Sequence, residues 1–199
     1  MEREGVINKR VCEFSKQNDT IQTILLYLIA LLVPTFLGQI LQKVFGVTSV
    51  VATNSQIIIG SIVNTALIVS AINLKGTLKI LGIVTMPSIS TILSGYVFGT
   101  ASVYMVYMIP AIWIGNFALI YAYKMFFVAK NKNYFLAGIL GIVVKVAIIF
   151  GIFNILKAFG IFPEKLVTNL QVAMSTTQAI TATIGTILSF IIYKIEVKK

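Results

Sequence analysis

Six long apolar runs follow one another along the chain, at about residues 20–45, 55–73, 78–99, 101–123, 134–159 and 168–193. A helix crossing the roughly 30 Å hydrocarbon core of a bilayer needs about 20 predominantly apolar residues, and these runs have that length. Only short polar or charged breaks separate them, at 46–54, 74–77, Thr100, 124–133 and 160–167, so no second domain fits. The pattern predicts an all-α integral membrane protein. Its expected form is a compact bundle of six transmembrane helices over residues 20–193, with a cytoplasmic N-terminal segment 1–19 and a cytoplasmic tail 194–199.

Composition agrees with the periodicity. A hydrophobic share of 58% and a mean hydropathy of +0.96 lie far outside the soluble range. The net charge of +10 would suggest nucleic acid in a soluble domain. In a membrane chain it is read by position instead, since loops rich in Lys and Arg stay in the cytoplasm. Arg3, Lys9, Arg10, Lys16, Lys75, Lys79, Lys124, Lys130, Lys132, Lys194, Lys198 and Lys199 fall on one side of a six-helix topology, and only Lys43, Lys157 and Lys165 on the other. Both termini are therefore expected inside. No aromatic-plus-basic stripe points to nucleic acid. The first nineteen residues lack the small-residue cleavage pattern of a signal peptide, and the first apolar run is too long for a signal core.

Several chemistries are excluded by residue type. The chain has no histidine and one cysteine, Cys12, so it can build neither an internal disulfide nor a cysteine-ligated cluster, and it lacks imidazole for zinc or general-base work. No cofactor is implied. No Walker motif is present, so any ATP hydrolysis must come from partners. An intramembrane enzyme would have only an unaided Ser, Thr or Lys to react with.

One charge stands near the middle of an apolar run. Lys145, within 138–153, has roughly 15 Å of hydrocarbon on either side, beyond the reach of its side chain to the headgroups. A buried charge is tolerated when paired or neutralised. All six acids, Glu2, Glu4, Glu13, Asp19, Glu164 and Glu196, lie outside the apolar interiors. Three fates remain: Lys145 is deprotonated, it faces a watery cavity among amides and carbonyls, or it meets an anionic ligand.

The expected topology also sorts the other polar residues. The outer halves collect Gln39, Gln42, Asn54, Gln56, Asn154, Lys157, Gln171, Ser175, Thr176, Thr177 and Gln178, with Tyr96, Tyr104 and Tyr107 at similar depth. Asn116 is the main amide of the inner halves, and Asn64 lies near mid-membrane with Lys145. Amides facing lipid are costly, so their one-sided accumulation points to an outward-open polar cavity. Each residue taken alone has a plainer reading, an amide meeting headgroups or a hydroxyl bonding its own helix. Pro34, Pro87 and Pro110 fall inside helices and can kink them. Ala30, Pro34 and Gly38, like the glycines of 95–99, form small-residue ridges that let helices approach closely. Trp113 and Phe117 read as packing residues.

This arrangement of six short-looped helices, small ridges and a polar outer half resembles the substrate-binding S component of an energy-coupling factor (ECF) transporter. The stretches 86–99 and 107–116 also look like small clostridial six-helix membrane proteins sometimes labelled iron hydrogenase, a label that one cysteine cannot support here. The S-component resemblance implies capture of a vitamin-type small-molecule substrate from outside, and delivery through a transmembrane coupling subunit and two ATPase subunits. Family members often carry Ala-x-x-x-Ala on the first helix for docking. Ala30, Pro34 and Gly38 keep the interval here but depart from the motif. The substrate site expected on this reading comprises Lys145, Gln39, Gln42, Asn54, Gln56, Asn64, Tyr96, Asn154, Gln171 and Gln178. A second reading is a non-transporting assembly, immunity or regulatory subunit whose buried polar groups join helices to a partner.

Overall fold

The computed structural model describes residues 19–46, 50, 54–94 and 103–197, with backbone alone for 91–94. Helices α1 (Asp19–Phe45), α2 (Ser55–Asn73), α3 (Thr77–Ser94), α4 (Met105–Ala129) and α5 (Tyr134–Ala158) are followed by a broken sixth, α6a (Glu164–Met174) and α6b (Thr176–Val197). Five of the six, all but α3, are long and apolar enough to cross a membrane; the part of α3 with described side chains, Thr77–Ser90, is shorter. No strand occurs among the described residues.

Two predicted boundaries shift. The 124–133 break is shorter than the charges suggest, because α4 runs on through a widened π turn, Tyr123–Ala129, and the Lys124 ammonium donates to the Leu74 carbonyl at 2.9 Å. The 160–167 break shortens as well, since α6a already begins at Glu164 behind Pro163. Asn133 starts α5 by accepting from the backbone N–H of Phe135 at 2.8 Å and of Leu136 at 3.3 Å. These contacts satisfy donors that a helix start leaves orphaned.

α2 is the central helix and touches α1, α3, α4 and α6b. Its tightest seam, with α6b, is built from two pairs of small residues spaced four apart. A Cβ on Gly60 would come within 2.8 Å of Thr181 Cγ2, and one on Gly185 within 2.6 Å of Asn64 Cβ. Such spacing lets backbones approach where lipid supplies no hydrophobic drive for association. α5 packs chiefly on α4, where Gly115 lies under Ile149 and the Lys145 backbone carbonyl, and Gly141 under Leu119. The outer face of α5, including Ile139, Val143 and Ile155, is exposed, as suits contact with lipid.

α1 is widened by a π turn at Val33–Leu37 containing Pro34, which has no N–H to return to the preceding turn. The Leu31 carbonyl there accepts from the Thr35 and Ser90 hydroxyls, both at 2.6 Å, and these two hydroxyls also meet each other. The ridge of Ala30, Pro34 and Gly38 is buried inside the bundle. α1 lies close to the chain's own α2 and α3. An Asp19–Lys79 ion pair ties the start of α1 to α3.

The two ends of the bundle differ. Near the start of α5, Tyr123 donates to Thr186 Oγ1 at 3.1 Å, Tyr134 and Ser189 share a hydroxyl contact of 2.7 Å, and Phe127, Phe190 and Tyr193 surround Tyr134. At the other end, Met105, Met108, Phe153, Phe162, Leu170 and Met174 form a core that seats α6a against α4 and α5.

Candidate functional site

Three helices, α2, α4 and α6b, bring most of the lining of one cavity. α2 contributes Gln56, Ile59, Gly60, Val63 and Asn64, spacings of three and four that keep to one side of a helix. α4 contributes Met105, Ile109, Ile112 and Asn116 by the same rule, and α6b contributes Thr177, Gln178 and Thr181. Pro34, Pro87 and Ser88 come from the kinked helices, and α5 supplies Lys145 alone. The cavity holds about 670 Å³ of space free of atoms, counting solvent at its mouth, and is partly open. It lies among the first turns of α2, α4 and α6b.

Lys145 is 2% exposed, and its ammonium donates to Asn64 Oδ1 at 2.5 Å. The Asn64 amide is turned by its own surroundings: Nδ2 donates to the Gly60 carbonyl at 2.8 Å and to Thr181 Oγ1 at 3.2 Å. A carbonyl can only accept, so Nδ2 must face it and Oδ1 must face the lysine. Thr181 in turn donates to the Gln178 carbonyl at 3.2 Å. This relay joins α5, α2 and α6b and ends at the cavity wall. No group of three or more His, Cys, Asp or Glu that could hold a metal occurs among the described residues, and no carboxylate lines the cavity there.

The amine retains donors beyond the one used by Asn64. The Ser88 hydroxyl is buried without a hydrogen-bond partner, and the Asn116 amide, 3% exposed, makes no side-chain hydrogen bond among the described residues. A buried polar group without a partner costs roughly 1–3 kcal/mol, so the Ser88 hydroxyl favours a guest that can bond it, and the Asn116 amide on the cavity wall can bond the same guest. Apart from Gln56, Thr177 and Gln178 near the helix starts, the remaining walls are apolar.

Of the residues expected at the site, Lys145, Asn64, Gln56 and Gln178 come together. Gln39 and Gln42 lie half-buried away from the cavity, beyond the π turn of α1. Asn54 and Asn154 are exposed and their amides donate to the carbonyls of Val50 and Phe150, each one turn back at 2.8 Å. Gln171 is exposed on α6a, outside the cavity, and Tyr96 lies outside the described residues. Sequence reasoning missed Ser88 and Thr181, and it placed Asn116 in the inner half, away from the cavity. The signal for Asn116 was its i, i+4, i+7 spacing with Ile112 and Ile109 read from the same face.

No protein-family model, curated protein or solved structure matches the chain.

Proposed function

We propose that this chain is a membrane-embedded substrate-binding subunit for uptake of an anionic, vitamin-type micronutrient. The observation that carries the reading is a buried lysine at a partly open cavity, held by one neutral amide, with the unpartnered Ser88 hydroxyl and the Asn116 amide on the same walls and no carboxylate among the described ones. An intramembrane cation so placed lacks a counter-ion, and a bound anion supplies it. The chain takes the ligand at its outer end, and transport is driven by a coupling subunit with ATPases, because the sequence carries no nucleotide motif of its own. With Ala30, Pro34 and Gly38 buried, that subunit docks on the exposed apolar face of α1 that includes Leu25, Leu28, Leu32 and Phe36.

A second reading, a non-transporting assembly or regulatory subunit, draws on the Lys145–Asn64–Thr181 relay, since buried polar bonds across helices also serve to fix packing. Mass spectrometry of small molecules released from detergent-purified protein separates the two. The binding reading expects a stoichiometric anionic metabolite in wild type that is lost in Lys145→Met. An empty protein recovered in a tight complex with a membrane partner supports the second reading.

A further inference from the structure

Resting on the binding reading above, we infer that the cavity selects an aliphatic monocarboxylate, seated with its carboxylate on Lys145 and held there by Asn116 and Ser88. Charge decides the head group. Lys145 is the one cation among the described cavity residues, so a singly charged carboxylate makes a neutral buried pair. A phosphate dianion would leave net negative charge in a low-dielectric site, which is heavily disfavoured.

Hydrogen bonding agrees with charge. A carboxylate offers about four acceptor positions on two oxygens. The cavity offers the spare Lys145 donors, the Asn116 amide N–H groups and the Ser88 hydroxyl, all on buried residues. Asn64 is excluded from this role because its Nδ2 is already committed to Gly60 and Thr181 and its Oδ1 to Lys145. Asn64 positions the lysine, and Asn116 and Ser88 read the ligand.

Shape sets the body. Ile59, Val63, Ile109 and Ile112, with Pro34 and Pro87, give the cavity branched, aliphatic walls. Gln56 and Gln178 stand nearer the helix starts, where they meet the distal end of the ligand. The expected guest thus has an acid head, an apolar middle and room for a polar tail.

Equilibrium dialysis of nanodisc-reconstituted protein against labelled hexanoate, hexyl phosphate and benzoate tests this. Hexanoate is expected to bind saturably and at least about tenfold more tightly than hexyl phosphate, the discrimination one charge-assisted hydrogen bond provides, and more tightly than benzoate, whose flat ring fits the branched aliphatic walls less well. Asn116→Leu and Ser88→Ala are each expected to weaken hexanoate roughly tenfold, while Asn116→Asp, which places a second anion at the head, should abolish binding. Unfolding midpoints of the variants report whether they fold. Hexyl phosphate binding as well as hexanoate, with Lys145→Met still abolishing it, overturns the carboxylate assignment and leaves anion capture standing; benzoate binding as well as hexanoate overturns the aliphatic body and leaves the carboxylate head standing. Binding of no probe, together with an unchanged metabolite content in Lys145→Met, overturns both.

Discussion

Gly185 of α6b lies directly against Asn64 of α2, so that a Cβ on Gly185 would fall 2.6 Å from Asn64 Cβ. The amide that holds Lys145 is therefore itself held by the absence of a side chain on another helix. Gly185→Ala is expected to push α6b off α2 and cost about 1–3 kcal/mol, as overpacking does. Gly151→Ala is the control, because nothing lies within 4 Å of its Cβ position. Thermal unfolding in detergent should show a lowered midpoint for the first and an unchanged or slightly raised one for the second; equal midpoints would mean the seam yields freely.

Removing one partner from a buried polar pair is costlier than removing both. Asn64→Leu strands the Lys145 amine and is expected to destabilise by about 3 kcal/mol. Lys145→Met, similar in volume and apolar, strands only the neutral Asn64 Oδ1 and should cost less, about 1–2 kcal/mol. In the double variant most of the Asn64→Leu loss should return. A double-mutant cycle by chemical denaturation reads this directly, and strict additivity would show that the lysine does not depend on the amide.

Tyr134→Phe deletes the hydroxyl that meets Ser189 and should lower stability by about 1 kcal/mol. This cluster sits at the opposite end of α6b from Thr177 and Gln178, so the amount of metabolite retained on purification should stay within about twofold of wild type, about 0.4 kcal/mol. A large loss of ligand in a well-folded Tyr134→Phe protein would place the two ends in communication.

Asn154→Ala and Gln171→Ala provide a test of which amides matter. Both residues are exposed and outside the cavity, whereas Gln56 and Gln178 line it. Quantifying released metabolite should show near-normal retention for the first two substitutions and a several-fold decrease for Gln56→Ala or Gln178→Ala. The reverse ranking would move the site toward α6a.

The apolar runs made the helical character and most helix positions legible, because burial in lipid requires long uninterrupted hydrophobic segments. Lys145 and Asn64 were legible for the same reason: a polar group deep in such a run must find a partner. The outlying amides misled because Asn54 and Asn154 satisfy themselves on their own backbones, an option that spacing does not reveal. The ridge of Ala30, Pro34 and Gly38 was legible as small residues at a helical interval, but small residues permit any close approach, and in this chain all three are buried within the bundle. Ser88 and Thr181 were hidden among many hydroxyls. Only the helix-to-helix arrangement distinguishes the hydroxyl at a cavity from one bonded to its own turn.

The π turn of α1 carries one residue more than an α-helical turn would. Each residue of an α-helix advances the azimuth by about 100°, so the segment Gly38–Phe45 has a facing set by that single insertion. Deleting one residue from 33–37 should close the turn and rotate Gln39 and Gln42 around the axis of α1 without altering any side chain. Length variation at this one turn, more than substitution, is the economical way for such a chain to change which side of Gly38–Phe45 turns toward the bundle.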